Sequence, residues 1–260
     1  MFPDLIKLDF ISLHTYGVCM AVGFILCWKL AERLSGRRDI ADLATWLIIA
    51  GVVGSRIAYA IEHWQVQFAH HPLDVFKVWQ GGLMFYGGFI LAVAVFVVWC
   101  VRHRESPLAM ADLICTVIPL GHACGRIGCF FFGCCYGRVS SSPLALSFPR
   151  GSPAWVEQLE HGHIDASAPC SLAVLPTQLF EAAALLVLFA LLLTVYRRCR
   201  RYTAAIYLVG YAVIRFALEY LRGDPRAAVG PFSISQAISL GVFAAGIVFA
   251  AVSFRRRGNR

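Results

Sequence analysis

Long apolar runs separated by short polar stretches are the main pattern along this chain. Seven of these runs are long enough to cross a bilayer as helices, because about 20 apolar residues span its hydrocarbon core. They predict helical spans over residues 12–33, 43–62, 83–101, 107–122, 174–196, 203–222 and 232–253. The predicted fold class is therefore all-α, a polytopic bundle of seven transmembrane helices.

The longest polar stretch, residues 123–173, contains Gly, Ser and Pro clusters and the histidine-bearing segment HGHIDASAPC. Such turn-forming composition predicts a small cap at one membrane face. We find no internal repeat and no pattern for a second hydrophobic core in the sequence. We therefore predict one integral membrane domain over residues 1–260, with 123–173 as its loop and cap region. The first helix lacks the pattern of a cleaved signal peptide and is expected to remain.

Composition and charge support this class and predict an orientation. Hydrophobic residues make up 59% of the chain and charged residues 15%, which excludes a water-soluble globular protein. Lys and Arg concentrate after the first, third, fifth and seventh predicted spans, and basic residues are retained on the cytoplasmic side. This predicts a membrane protein with an outer N-terminus, a cytoplasmic C-terminus and residues 123–173 on the outer face. The net charge of +8 then reflects topology and lipid headgroups, not a nucleic acid.

Charged residues within the apolar runs are the first candidates for function, because an Arg or Asp at mid-membrane costs about 2.5–3.5 kcal/mol. Tyr211, Arg215 and Glu219 are spaced four apart, which places them on one helical face. Arg126 is a second arginine in apolar surroundings. The planar arginine fork binds phosphate oxygens in pairs, so these residues predict a lipid-phosphate site. An ion pair that only neutralises itself is the alternative.

Further polar and small residues are candidates for the same site. Gln178 and Glu181 stand three apart on the predicted fifth span, where Glu181 either orients an arginine or takes part directly. Arg56 either joins this site or extends its side chain to a lipid headgroup. The glycine pairs 81–82 and 87–88 either present helix N–H groups to an anion or pack helices closely.

Four of the cysteines in the predicted outer connection are candidates for chemistry: Cys129, Cys134, Cys135 and Cys170. Three interpretations remain open. Thiols on an oxidising face form disulfides, whose pairing the sequence does not give. The first three could instead bind a metal with His122 or His163, although their spacing matches no standard zinc pattern. In the third interpretation, Cys134 or Cys135 is a nucleophile. No cofactor or metal is predicted to be required.

Four blocks of the chain resemble the prolipoprotein diacylglyceryl transferase family, in register over most of the sequence. The family signature G-R-x-G-N-F-x-N-x-E-x-x-G is similar to residues 125–137, GRIGCFFFGCCYG. LHTYGVCMAVGF resembles the first-helix block with its tyrosine, here Tyr16, and WQGGLMFYGGF resembles the H-G-G block with Tyr86 at the histidine. PTQLFE is similar to H-P-S-Q-L-Y-E, with Leu175 at that histidine, and YAVIRFALEYLR is similar to the block that contains the family's arginine and glutamate.

The resemblance implies transfer of the diacylglyceryl group of phosphatidylglycerol to the lipobox cysteine thiol of a prolipoprotein. It also implies a location in the bacterial inner membrane, with residues 123–173 on the periplasmic face. A tyrosine with a pKa near 10 is a poor substitute for a histidine base, so His122 is the expected replacement, followed by Glu219 and Glu181. The expected catalytic residues are Arg126, Arg215, Glu219, His122 and Tyr86. The expected substrate-binding residues are Tyr16, Arg56, Gly87, Gly88, Gly137, Gln178, Glu181 and Tyr211.

Two alternative functions are consistent with the same residues. A phospholipid-dependent acyltransferase would use a loop cysteine, because an acyl thioester turns over whereas an alkylated enzyme thiol does not. A non-catalytic relative would bind phospholipid through the two arginines. The expected partners in every case include phosphatidylglycerol and membrane lipids. The transferase alone also requires the prolipoprotein lipobox, and none of the three requires nucleic acid.

Overall fold

The computed structural model describes residues 4–8, 11–69, 71–78, 81–224 and 228–255. Eight α-helices account for most of this part of the chain: α1 Thr15–Ser35, α2 Ile40–Glu62, α3 Phe85–Arg102, α4 Pro107–Phe132, α5 Pro153–Glu160, α6 Thr177–Cys199, α7 Thr203–Glu219 and α8 Ile234–Arg255. Antiparallel pairing joins strand β1 (Asp4–Leu8) to β2 (Ile11–His14), and β3 (Ala228–Val229) to β4 (Phe232–Ser233). A π-helical turn, Trp64–Phe68, and a 3-10 helix, Pro72–Phe76, follow α2.

Five of these helices have the length and apolar composition needed to cross a membrane. They are α2, α3, α4, α6 and the Ile234–Phe254 part of α8, all within the described residues. This confirms a helical, polytopic membrane protein. The two other predicted spans correspond to α1, which carries Lys29, Glu32 and Arg33 near its end, and to α7, which has 17 residues.

The chain divides into two compact units, residues 31–111 and residues 1–30 with 112–260. In the unit 31–111, α2 and α3 pack through glycines. A Cβ atom added at Gly87 would overlap Ala58, and one at Gly88 would lie 2.5 Å from the carbonyl oxygen of Gly51. Small residues at a helix interface allow such close approach in membranes. This second glycine pair therefore packs helices, while the single domain over 1–260 stays a prediction.

In the unit formed by residues 1–30 and 112–260, α7 packs between α6 and α8. Asp112 of α4 fixes the start of α7, because its Oδ1 accepts hydrogen bonds from the Ala204 N–H at 2.9 Å and the Thr203 hydroxyl at 3.3 Å. The Thr203 hydroxyl also donates to the Asp112 carbonyl oxygen at 2.7 Å. A carboxylate at this position accepts hydrogen bonds from helix N–H groups, and its negative charge is stabilised by the positive end of the helix dipole.

Helix α4 runs to Phe132 and so continues well beyond residue 122, where the predicted span ends. The glycines after residue 120 do not interrupt it but allow α1 to lie close. A Cβ atom at Gly121 would lie 2.8 Å from Cys27 Sγ, and one at Gly128 would lie 3.1 Å from the ring of Tyr16. The connection predicted over 123–173 consequently begins at residue 133, and Arg126 is helical.

The connection between α4 and α6 has a small hydrophobic core of its own, which the sequence pattern did not indicate. Tyr136, Phe148, Ala154 and Val174 are buried together, with Phe130 of α4 packed against them. Backbone bridges pair residues 139 and 146 with 174, and 149 with 170. The four side chains come from irregularly spaced positions, so no periodic pattern reveals them. The connection is therefore a folded element that begins directly after α4.

Candidate functional site

Oppositely charged side chains meet between α4 and α6. Arg126 Nε lies 3.1 Å from Glu181 Oε1, and the Glu181 side chain is 1% exposed. Neither atom has a partner with hydrogen-bond geometry among the described residues, and the same holds for Gln178 Oε1, which lies three residues before Glu181. Buried polar atoms are costly when they remain unsatisfied. This cluster is therefore suited to receive a polar ligand.

The second arginine is on α7 and is held from two sides. Arg215 Nη2 lies 2.9 Å from Glu219 Oε2 and donates to Ser235 Oγ at 3.0 Å. The Ser233 hydroxyl donates to Glu219 Oε1 at 2.7 Å. Ser233 and Gln236 also exchange hydrogen bonds of 3.1 Å between their side chains and backbone N–H groups, a capping box at the start of α8. The start of α8 thus orients the Arg215–Glu219 pair.

An aromatic pair is situated close to both arginines. The ring centroids of His122 on α4 and Tyr211 on α7 are 5.1 Å apart. Both side chains are near enough to Arg126 and Arg215 to interact with them electrostatically. Two guanidinium groups around one polar aromatic pair form an arrangement that can bind the oxygens of a phosphate. The structure therefore brings together the predicted residues of α4, α6 and α7.

Three cysteines meet directly after α4. The Sγ atoms of Cys129, Cys134 and Cys135 lie within 4.8 Å of one another, and the structure carries them as free thiols. The chain turns back on itself through Gly133, at φ +82°, and Cys135, at φ +63°. Residues other than glycine rarely adopt a positive φ angle such as that of Cys135. This reversal brings the Cys134–Cys135 pair against Cys129, and we refer to the three residues as the thiol cluster.

The first residues of α6 hold the backbone of the thiol cluster. The Thr177 hydroxyl donates to the carbonyl oxygen of Cys135 at 2.9 Å. The Gln178 amide donates to the carbonyl oxygen of Cys134 at 2.7 Å. Both donors are almost completely buried. Gln178 therefore links the thiol cluster to the Arg126–Glu181 pair on the next turn of its helix.

Arg222 is a further charged residue at this cluster that the sequence interpretation missed. It makes a bidentate ion pair with Asp224, with Nε at 2.7 Å from Oδ1 and Nη2 at 2.6 Å from Oδ2. Hydrogen bonds with the Cys129 and Cys134 thiols, followed by the charge and hydrogen bond of Arg222, lower the pKa of the Cys135 thiol. The sequence did contain a signal for a functional role of Arg222, because a basic residue at the predicted outer end of a span departs from the concentration of basic residues on the cytoplasmic side.

Tyr16, at the start of α1, lies beside the thiol cluster. Its ring is next to Gly128, and its hydroxyl is within electrostatic range of Arg126 and of all three cysteines of the cluster. The side chain is 42% exposed. Tyr16 thus borders both the thiols and the arginine at a point that a ligand can reach.

Two other predicted residues shape the connection between α4 and α6. The Gly137 N–H donates to the carbonyl oxygen of Leu175 at 2.8 Å, and a Cβ atom there would lie 2.7 Å from the carbonyl oxygen of Leu221. Gly137 therefore permits three backbone segments to meet. Cys170 is exposed, its backbone pairs with Pro149, and its side chain is not part of the thiol cluster.

The remaining predicted site residues belong to the unit 31–111. The Arg56 guanidinium donates to five carbonyl oxygens between α2 and α3, those of Asp74, Val75, Lys77, Gly81 and Gly82, at 2.6–3.3 Å. Arg56 therefore organises this segment, and its contact with a lipid stays a prediction. Tyr86, on α3, is 54% exposed and lies edge-on to Phe85. Gly87 and Gly88 face α2, as described above.

An open cavity of about 520 Å³ reaches Gly133 but is lined by none of these polar side chains. It is bordered by the end of α4 and by α5. Its wall includes apolar residues, two carboxylates and one guanidinium: Phe131, Phe132, Phe148, Val156, Glu157, Glu160 and Arg150. Its described lining includes none of the predicted catalytic residues. The cluster of arginines, carboxylates and thiols is therefore the candidate site.

Known proteins are similar to this chain along nearly its full length. The family described as prolipoprotein diacylglyceryl transferase matches residues 3–252. Three curated proteins named phosphatidylglycerol–prolipoprotein diacylglyceryl transferase are similar to it. That of Stenotrophomonas maltophilia is 31% identical over 97% of this chain and 92% of its own length. The proteins of Burkholderia lata and Geobacter sulfurreducens are 32% and 31% identical, over 98% of this chain and 95% and 96% of theirs.

Proposed function

Because the chain belongs to the prolipoprotein diacylglyceryl transferase family, we propose that it transfers the diacylglyceryl group of phosphatidylglycerol to the lipobox cysteine of a prolipoprotein. It is then a membrane transferase of lipoprotein biogenesis. The cysteine sulfur forms a bond to the glyceryl carbon that carries the phosphate. The bond from that carbon to the phosphate oxygen breaks, and glycerol phosphate leaves.

The pair of arginines near His122 and Tyr211 is the observation that carries this proposal. Negative charge grows on the leaving phosphate as its bond to carbon lengthens, and a fixed guanidinium stabilises this charge. Glu181 lies at the Nε side of Arg126, which leaves the terminal nitrogens as the part that contacts a phosphate. Glu219 and Ser235 orient Arg215. We assign the two glutamates to positioning the arginines.

The acceptor thiol must lose its proton before it attacks carbon. Both glutamates are already paired with an arginine, so His122 is the side chain that we assign first as proton acceptor. Tyr86, on the other compact unit, stays a predicted participant. Tyr16, Gln178 and Tyr211 are proposed to line the path of the substrate.

We also propose that α1 and α7 cross the membrane with the five apolar helices, which makes seven spans. The basic residues support one orientation of these helices in the membrane. Arg33, Arg102 and Arg197 with Arg198 stand in the last turns of α1, α3 and α6, which assigns those ends to the cytoplasm. The N-terminus and the 133–176 connection, as a cap, then lie on the periplasmic side of the inner membrane, and the C-terminus lies in the cytoplasm.

The test is the intact mass of a synthetic lipobox peptide after incubation with the purified protein and phosphatidylglycerol. We expect a gain of one diacylglyceryl unit that is stable to hydroxylamine. Arg215→Ala should reduce the rate by about 10²-fold or more. Arg150→Ala is the matched control, because the Arg150 guanidinium lies over the Trp155 ring in the connection, outside the site. It should retain the full rate.

Other outcomes would contradict the transferase. A single acyl gain that hydroxylamine removes would indicate an acyltransferase that works through a thioester. An unchanged peptide with saturable lipid binding would indicate a lipid-binding relative. Removing Arg215 leaves Glu219 buried without its cation, so thermal unfolding of Arg215→Ala must be measured beside Arg215→Lys, which keeps the charge.

A further inference from the structure

The mechanism above leaves the thiol cluster without a role. Its three sulfur atoms lie within 4.8 Å of one another. Thiolates bound to one zinc ion at about 2.3 Å each would lie about 3.8 Å apart in a tetrahedral arrangement. Small side-chain rotations would therefore bring all three onto a single ion.

We propose that Cys129, Cys134 and Cys135 bind one zinc ion, whose fourth position receives the acceptor cysteine of the substrate as a thiolate. The choice of substrate rests on the proposed function, whereas the zinc site does not. Among the described residues, no fourth His, Cys, Asp or Glu side chain belongs to this group. Three protein ligands and one open position are typical of catalytic zinc.

The surroundings of the thiol cluster suit an anionic metal site. Zinc with three thiolates carries one negative charge, and a fourth thiolate makes it two. Arg222 interacts with Cys135, and Arg126 interacts with Cys129. These cations oppose the negative charge of the site. Residues that orient the ligands matter nearly as much to a metal site as the ligands themselves.

The backbone of the thiol cluster is also held before any ion binds. The hydrogen bonds from Thr177 and Gln178 fix the carbonyl groups of Cys135 and Cys134. Cys135 keeps a backbone conformation, φ +63°, that residues with a Cβ atom seldom adopt. A disulfide would join only two of the three thiols and would not account for the position of the third. A single zinc ion would bind all three.

The location links the zinc site to the phosphate site. Cys129 follows Arg126 by three residues on α4, and side chains at this spacing are neighbours on a helix, about 5–6 Å apart at Cβ. Tyr16 is within range of both. A thiolate held at the ion would thus lie beside the arginine that stabilises the leaving phosphate. The nucleophile and the leaving group would be positioned by one helix.

The proposed step conserves atoms and charge. Hydroxide at the open position of the ion takes the proton of the substrate thiol and leaves as water, and the sulfur takes its place as a thiolate. The sulfur electron pair then forms the bond to the glyceryl carbon, and the pair of the broken carbon–oxygen bond leaves with glycerol phosphate. The neutral thioether is a weak ligand, so water replaces it and regenerates the hydroxide by giving one proton to the departing glycerol phosphate. With zinc bound, this route would take over the role of proton acceptor that is assigned above to His122.

The first test measures metal without any reaction. The protein is purified in detergent under anaerobic, reducing conditions, and its metals are quantified by mass spectrometry. We expect about one zinc per chain, and a loss of at least about tenfold in zinc affinity for Cys135→Ser and for Cys134→Ser. Cys199→Ser is the matched control, because Cys199 is exposed at the end of α6. It should bind zinc like the unmodified chain.

In the second test, cobalt(II) replaces zinc, because its absorption spectrum reports whether a thiolate binds at the open position. The sulfur-to-cobalt charge-transfer absorption should increase when a lipobox peptide is added, and should not change with a peptide whose cysteine is serine. Copper(I) bound to the three thiols with no response to the peptide would overturn the proposal. So would a disulfide between any two of them in freshly isolated membranes.

The third test separates this inference from the proposed function. Chelation should lower the transfer rate by about 10²-fold near pH 7, where a free thiol of pKa about 8.5 is mostly protonated, and added zinc should restore the rate. His122→Gln should then have a smaller effect than chelation. Full transfer by metal-free protein would refute the zinc role and leave the transferase intact. A peptide-responsive cobalt site without any transfer would refute the transferase and leave the metal site intact.

Discussion

At the scale of single residues, the geometry of Arg126 explains why an arginine occupies this position. One edge of its guanidinium lies 3.1 Å from the buried carboxylate of Glu181, and the group also interacts with Tyr211. A lysine carries the same charge on a single nitrogen and cannot contact a carboxylate and a phosphate in two fixed directions. The charge alone is therefore insufficient for the proposed role.

Arg126→Lys should separate charge from geometry. We expect the folded protein to persist, because a lysine can still pair with Glu181, while the rate of peptide diacylglyceryl transfer falls by about 10²-fold through the loss of the fork. Intact-mass kinetics measure the rate, and Arg150→Lys is the control with no expected change. An unaltered rate in Arg126→Lys would mean that a point charge is sufficient and that the fork has no role.

The residues that could be predicted from the sequence are those whose presence in an apolar segment is itself costly. Arg126, Arg215 and Glu181 stand out in this way, and the i,i+4 spacing of Arg215 and Glu219 gives their ion pair directly. The proximity of Cys129 to the following cysteines was not predictable. It depends on left-handed backbone at Gly133 and Cys135, and no periodicity reports a reversal of that kind.

At the scale of elements, α7 depends on a residue of another helix for its start. Tyr202, the residue before α7, has φ +67° and no capping hydrogen bond from its side chain. Asp112 of α4 supplies the acceptor instead. The existence of α7 follows from its apolar sequence, but this cap joins residues that are 92 positions apart. Local sequence patterns therefore could not indicate it.

Asp112→Ala should lower the stability of the protein by about 1–2 kcal/mol, because the Ala204 N–H loses its buried acceptor, whereas the Thr203 hydroxyl keeps its bond to the backbone carbonyl of residue 112. Thermal unfolding in detergent reports this as a lower midpoint. Asp42→Ala is a suitable comparison, since Asp42 is exposed in the first turn of α2. Its loss should change stability by no more than about 0.5 kcal/mol. Equal midpoints for the two variants would show that the cap has no energetic role.

At the scale of the whole molecule, α6 separates two exposed cysteines. Cys170 precedes it and Cys199 is its last residue. A helix of 23 residues is about 35 Å long, enough to cross the hydrocarbon core. Whatever the orientation, the two thiols should lie on opposite faces. The proposed topology assigns Cys170 to the periplasm.

A membrane-impermeant maleimide can test this arrangement with the natural cysteines. In intact spheroplasts we expect Cys170 to be labelled, and Cys199 to be labelled only after permeabilisation. Peptide mass spectrometry identifies each site, with Cys170→Ser and Cys199→Ser as references. The opposite order would invert the proposed orientation. Labelling of both thiols in intact spheroplasts would mean that α6 does not cross the membrane.

The length of α4 has a consequence for which lipids can react. Its 26 residues extend about 39 Å, roughly 9 Å more than a hydrocarbon core of about 30 Å. The six residues that follow Arg126, up to Phe132, account for that same surplus at about 1.5 Å each. If the first turn of α4 is level with one edge of the hydrocarbon, Arg126 is level with the other, where lipid phosphates begin. The length of the helix would then set the depth in the bilayer at which the bond to the phosphate is broken, and the transfer rate would depend on bilayer thickness.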